Sequence, residues 1–268
     1  MPLCGHPLFM ENFFKSKQVY PRWIVAHRGY RLTYPENTLI AFQAALETGA
    51  PMIELDVTFS RDRKVVVIHD ASLERTTNGH GPVNDYSLEE LKQLDAGSWF
   101  DPRFADQRLP ELCEVLDLVN GRAYLNIEIK AHAYEHDHPP DAIEKQVVTL
   151  VKQKKFDDSV LISSFDIDIL VQIASMEDPP AIALISQTPA SKRIVEICTH
   201  LKAFSWHPDH QIVTRPQVDM MHAAGLKVFP YNVDTFEDYG KVIDMQADGV
   251  ITDDPLSAGH WSRIGKAA

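Results

Sequence analysis

Met52-Ile53-Glu54-Leu55-Asp56-Val57 is followed by Thr58-Phe59-Ser60-Arg61-Asp62-Arg63-Lys64 and then by Val65-Val66-Val67-Ile68-His69. The two outer runs are short, aliphatic and β-branched, which reads as strand. The spacer between them, with Arg61–Lys64 at its centre, is polar and too short for a helix. The runs therefore form an antiparallel hairpin. Folding back about residues 61–64 brings His69 beside Glu54 and Asp56. These two carboxylates stand two residues apart on one strand, so their side chains share a face.

Further strand-like runs lie at 23–27, 123–130, 160–165, 181–186, 203–206, 226–233 and 248–252. Most are separated by amphipathic patterns. Asn37-Thr38 caps a helix whose Leu39, Phe42 and Leu46 share a side and which stops at Gly49. Ile143, Val147, Leu150 and Val151 make a second stripe, Ile194, Ile197, Cys198 and Leu201 a third, and Phe236, Tyr239 and Ile243 a fourth. Strands alternating with helices build βαβ units and a parallel sheet. Nine strand candidates are one too many for an eight-stranded barrel, and the hairpin accounts for the extra one. The expected fold is an α/β TIM (β/α)8 barrel with a β-hairpin insertion after the second strand and the site at the C-terminal strand ends. An open doubly wound sheet is the runner-up, but no glycine-rich fingerprint follows the first strand. The expected organisation is an N-terminal extension over 1–22, a barrel domain over 23–262 and a tail over 263–268.

The chain has 268 residues, of which 44% are hydrophobic and 24% charged, enough for one full core. Its formal net charge of -12 argues against nucleic acid as a partner, since that would need a basic face. A small anionic substrate remains compatible, because a local cationic cluster with a metal overcomes the global sign. Cys4, Cys113 and Cys198 are odd in number and widely spaced, which gives neither a disulfide framework nor zinc spacing. With no signal-peptide pattern and no long apolar run, the expectation is a cytoplasmic protein without membrane insertion. The oligomeric state is open.

Three carboxylates carry the chemistry. Glu54 and Asp56 share a face, and two like charges on a mostly apolar strand are costly unless compensated. Glu128 shares a face with Asn126 and Lys130 in Leu125-Asn126-Ile127-Glu128-Ile129-Lys130. Such an all-oxygen set suits one divalent cation, Mg²⁺ or Ca²⁺, rather than zinc. His27 and His69 both end apolar runs, and two imidazoles supply the base and the acid that phosphodiester cleavage requires. Arg28 can hold a phosphate oxygen in a bidentate way. Glu36 either reaches this site or serves the entry to its helix. His132, His136 and His138 form either a second metal site or a solvated loop. Phe165, Trp206 and Tyr231 lie near strand ends, where they either line a substrate wall or pack the barrel.

The ordered set VAHRGY, YPENTLIAFQAALETGAPMIELDV, VVVIHDASLERTTNGHGPV, SLEELKQLDAGSWF and LNIEIK strongly resembles the glycerophosphodiester phosphodiesterase family from about residue 24 to 130. The likeness resumes at Ile162-Ser163-Ser164-Phe165 and at Asp248–Pro255. It implies a TIM barrel that hydrolyses small glycerophosphodiesters to glycerol 3-phosphate and an alcohol with a divalent metal. By position, His27 and His69 match the family's acid/base pair. Glu54, Asp56 and Glu128 match its metal ligands, and Arg28 and Lys130 its phosphate contacts. The chain departs from the family pattern in two places. No glycine stands in the turn before His69, and Tyr231-Asn232-Val233-Asp234 replaces the usual tryptophan-threonine-valine-asparagine. The short segment 71–122 fits the compact, intracellular type. Two rival readings are a lysophospholipase D, which would need an apolar groove, and a barrel that only binds phosphodiesters, which should have lost a histidine or a ligand.

Overall fold

A computed structural model of the chain describes residues 23–264. The expected extension over 1–22, with Cys4, lies outside the described residues, as do residues 265–268 of the expected tail. The strands are β1 (Trp23–Ala26), β2 (Met52–Phe59), β3 (Val65–Val67), β4 (Tyr124–Ile129), β5 (Val160–Ser164), β6 (Ala181–Ser186), β7 (Ser205–Pro208), β8 (Lys227–Val228) and β9 (Gly249–Thr252). Eight of them run side by side in the order β8-β7-β6-β5-β4-β2-β1-β9, with β3 paired only to β2. Main-chain bonds from Asp248 N to Val228 O (3.0 Å) and from Ile251 N to Pro230 O (2.9 Å) draw the two ends together into a barrel. This is the expected TIM barrel with the hairpin as its extra strand.

The helices are α1 (Leu39–Thr48), α2 (Leu88–Leu91), α3 (Leu112–Val119), α4 (Ile143–Gln153), α5 (Ile167–Ala174), α6 (Lys192–His200), α7 (Arg215–Ala223), α8 (Phe236–Asp244) and α9 (Pro255–Ile264), and all but the short α2 form the outer ring. Alternation along each strand sorts the side chains into two layers. Ile53, Leu55, Ile127, Ile162, Leu184 and Val250 pack outward against the helices. Trp23, Val25, Met52, Tyr124, Phe229 and Ile251 fill the barrel floor. The segment after β3 has a small core of its own, in which Val66, Ile68, Leu73, Val83 and Leu91 are buried together.

Local chemistry explains the elements that place the site. Thr38 caps α1 by accepting from Ala41 N, and Gly49 ends it at φ 78°. Asn37, expected to share the cap, instead takes φ 56° and turns inward. In the β2–β3 hairpin, Arg63 occupies the left-handed position at φ 59° where a glycine would be unstrained. Its guanidinium bonds Glu135 at 2.8 and 2.9 Å and lies 4.6 Å from the Phe59 ring centroid, which fixes the strained residue. Two expected strands shift. The one read over 203–206 forms at Ser205–Pro208, and the one read over 226–233 is regular only at Lys227–Val228. Pro230 has no N–H to donate and so interrupts the second ladder. Phe236, placed on the apolar stripe of its helix, is 59% exposed and meets Trp261 edge-on.

Gly29 lets α1 approach the loop after β1. It sits at φ 83°, and a Cβ there would stand 2.7–2.8 Å from the backbone and Cβ of Ala41. Gly29→Ala is expected to cost about 2–3 kcal/mol from overpacking and left-handed strain together. Urea unfolding checks this, and an unchanged midpoint would contradict it.

Candidate active site

Parallel pairing sets Asp56 opposite Glu128 and Glu54 opposite Asn126. Oxygens of Glu54, Asp56 and Glu128 lie within 4.8 Å of one another, and all three residues are buried. Among the described residues this is the only set of three or more His, Cys, Asp or Glu side chains with such spacing. Burial, together with Asp56 and Glu128, pushes Glu54 well above the usual carboxylate range. Burial and the Asp56 charge push Glu128 up to about 7. Asp56 is held low in spite of its burial, because Arg28 and Lys130 flank it. Arg28 Nε lies 3.1 Å from Asp56, and Lys130 Nζ lies 3.2 Å from Asp56 and 2.5 Å from Glu128. Asn37 Nδ2 donates to Asp56 at 2.8 Å, and Arg28 N donates to Glu54 Oε2 at 2.8 Å. Glu54 Oε1 is buried with no partner among the described residues. An orphaned carboxylate oxygen in an all-oxygen cluster with excess negative charge fits a hard divalent cation.

The hairpin delivers the second histidine. Ile68 N donates to Asp56 O at 3.0 Å, so the chain leaving β3 runs back beside the carboxylates. His69 Nδ1 then meets Asp70 Oδ1 at 2.5 Å. His27, held by its N–H to Thr252 O (2.9 Å), places Nδ1 2.6 Å from Asp253 Oδ1, with Asn232 alongside. Each imidazole is thus oriented through Nδ1 by its own aspartate, which leaves Nε2 for a reacting group. Burial lowers both histidines below the ordinary imidazole value, against the pull of those carboxylates.

Glu36 ties the two sides together. It is 4% exposed, receives Arg28 at 2.7 Å and Arg75 at 2.8 and 3.0 Å, and faces Arg31 at 3.3 Å. Arg75 also clamps Asp70, and Arg31 lies 3.5 Å from Asp253. Both histidine–aspartate pairs therefore lead back to one carboxylate. Burial works against its charge, yet the three guanidiniums bring it down to about 2.

One cavity of about 200 Å³ is lined by His27, Arg28, Glu54, His69, Asn126, Glu128, Phe165, Ile185, Gln187, His207, Tyr231, Asn232 and Ile251. Lys130 and Asp56 lie behind this lining, in contact with it. Phe165 and Tyr231 meet edge to face on the wall, with centroids 6.2 Å apart. Trp206 is not there. It faces outward from β7, fully buried among the helix-facing core residues, and alternation puts its neighbour His207 on the cavity. His136 and His138 pack edge-on around Tyr134 rather than forming a ligand set.

The glycerophosphoryl diester phosphodiesterase family model matches residues 27–257. The chain belongs to that family. A glycerophosphodiester phosphodiesterase of Caldanaerobacter subterraneus subsp. tengcongensis is 39% identical over 236 residues, covering 87% of this chain and 94% of the relative. Among solved structures, an Oleispira antarctica phosphodiesterase in complex with its product sn-glycerol-3-phosphate superposes with a TM-score of 0.83 at 29% identity, covering 89% of this chain and 96% of that one. A glycerophosphodiester phosphodiesterase from Agrobacterium tumefaciens gives 0.76 at 30% identity, covering 88% and 97%. The chain is accordingly a phosphodiesterase of glycerophosphodiesters. No helix among the described residues is long and apolar enough to cross a membrane.

Sequence reasoning overlooked Asp253, Asn232, Asn37, Arg75 and His207. Asp253, Asn37 and Arg75 lie inside stretches quoted for the family resemblance and Asn232 inside one quoted as a departure from it, but their roles depend on loops that meet only in the barrel.

The Glu36 network has a pH signature. A carboxylate whose folded value lies below its unfolded one stabilises the fold above the unfolded value, and that contribution is lost as pH falls through the folded value. For Glu36 the window runs from 4.5 down to about 2. Glu36→Gln should therefore destabilise by on the order of 3 kcal/mol at pH 7, shrinking to about 1 kcal/mol at pH 3. Denaturant titrations at the two pH values measure the gap, and a gap independent of pH would refute the assignment.

Proposed function

We propose that this chain hydrolyses small, water-soluble glycerophosphodiesters to glycerol 3-phosphate and an alcohol, using a cation held by Glu54, Asp56 and Glu128 and the acid/base pair His27 and His69. One observation carries the reading. Three buried carboxylates cluster at a cavity that two of them, Glu54 and Glu128, line together with two histidines, each oriented by its own aspartate. A bound Mg²⁺ or Ca²⁺ would neutralise charge on a phosphoryl oxygen.

The protein's own groups supply the rest. Arg28 and Lys130 keep their protons firmly, because the acidic neighbours outweigh the effect of burial. Their positive charge lies where negative charge builds up on the phosphate. One histidine takes the proton from the attacking hydroxyl, either of water or of the substrate's own glycerol, and in the second case a cyclic phosphate forms that water then opens to glycerol 3-phosphate. The other protonates the departing alkoxide. Asp253 and Asp70 fix the tautomers so that Nε2 exchanges the proton in both cases. The small cavity, with one aromatic pair and many polar groups, suits a compact head group such as choline or ethanolamine rather than a long acyl chain.

Glycerophosphocholine hydrolysis by the chelated protein, before and after Mg²⁺ or Ca²⁺ is restored, tests the proposal. Activity should vanish in chelator and return with the ion. His27→Ala and His69→Ala should each lose about a hundredfold or more in turnover. Full activity in excess chelator, or a specificity constant for lysophosphatidylcholine tenfold above that for glycerophosphocholine, would contradict it.

A further inference from the structure

Two buried polar side chains on the cavity wall, Asn126 beside the carboxylates and His207 across from them, have no part in the chemistry so far, and His207 is the one set apart from the acidic cluster. It is 2% exposed on β7. Its Nε2 lies 2.9 Å from Ser205 Oγ, and its Nδ1 is buried with no hydrogen-bond partner among the described residues. Phe229 packs edge-on against the ring at a centroid distance of 5.5 Å. Leaving a buried ring nitrogen unpaired is costly, and the cost is removed when a ligand provides the missing partner. Burial alone lowers the imidazole to about 3, so the ring is neutral at working pH. No carboxylate among the described residues touches it, so it is poorly placed to bind a cation or to exchange protons.

Its position tells which part of the substrate it meets. In the closed order of eight strands, β7 stands four strands from β2 in either direction. His207 therefore looks across the barrel at the Glu54 and Asp56 strand, where the phosphate is to bind. A neutral imidazole whose other nitrogen rests on a hydroxyl can either donate or accept through Nδ1, because the serine partner can reverse its role. That adaptability matches an uncharged hydroxyl. The departing alcohol varies between substrates and must leave through the mouth, whereas the glycerol is common to all of them. Building on the function proposed above, we infer that His207 hydrogen-bonds a glycerol hydroxyl of the substrate and selects glycerol phosphates over phosphates of plain alcohols.

Binding of two products separates this role from catalysis. Glycerol 3-phosphate and n-propyl phosphate share the phosphomonoester and the chain length, and differ only in the hydroxyls. In the presence of Mg²⁺, calorimetry on the full chain should show wild type preferring glycerol 3-phosphate by about tenfold to a hundredfold. His207→Phe should erase that preference by weakening glycerol 3-phosphate while leaving n-propyl phosphate within about threefold. His207→Asn, which keeps a polar atom near the Nδ1 position, should restore part of it. The wild-type ratio stands even if the phenylalanine variant fails to fold. Equal wild-type affinities, or an undiminished preference in His207→Phe, would overturn the inference and leave the phosphodiesterase reading intact. A wild type that binds neither compound would overturn both.

Discussion

Burying three carboxylates within one small volume is the constraint around which the upper barrel is arranged. The β2–β4 register sets Asp56 against Glu128, and alternation sets Glu54 on the same face, so their repulsion follows from the strand pairing itself. Isolated, such a group would take up protons or unfold the site. Arg28 and Lys130 offset part of the charge, Asn37 satisfies one oxygen of Asp56, and the remaining excess shows in the raised values of Glu54 and Glu128. The two residues expected to grip phosphate are thus paired with carboxylates in this structure. A divalent cation among the three acids would release some of that pairing and let the same cations face a phosphate.

A second carboxylate organises the histidines. Glu36 gathers Arg28, Arg31 and Arg75, and through the last two it reaches Asp253 and Asp70. Positioning two imidazoles from separate loops, one after β1 and one after an inserted hairpin, requires such a common anchor. The cost of burying charge is then met by an extended network rather than by isolated pairs. That the hairpin, the loop entering α1 and the loop after β9 all contribute explains why the site forms only when the barrel closes.

Much of the architecture was legible because its signals are local. Alternating strands, Thr38 at the cap, Gly49 at the stop and the polar spacer at 61–64 each follow from nearest-neighbour chemistry. The carboxylate cluster was legible too, since Glu54-Leu55-Asp56 and Glu128-Ile129-Lys130 fix faces by period alone. The misreadings have physical causes. Trp206 stayed open between wall and packing because composition alone does not say which of two neighbours faces inward, and only the pairing of β7 with β6 and β8 turns Trp206 out and His207 in. Pro230 shortened a strand whose composition otherwise favoured it. Glu36 looked like a helix-entry residue because its three arginine partners come from sequence positions 28, 31 and 75. Asn232 and Asp253 gained their meaning only from His27, more than two hundred residues away.

The most direct measurement of the central claim is a crystal structure of the chain with Mn²⁺ or Ca²⁺ and glycerol 3-phosphate, with the metal located by anomalous scattering. The account predicts one peak about 2.0–2.6 Å from oxygens of Glu54, Asp56 and Glu128, with the phosphate beside it and Arg28 turned toward it. A metal bound elsewhere, or three carboxylates still locked to Arg28 and Lys130 with the phosphate in the cavity, would contradict it.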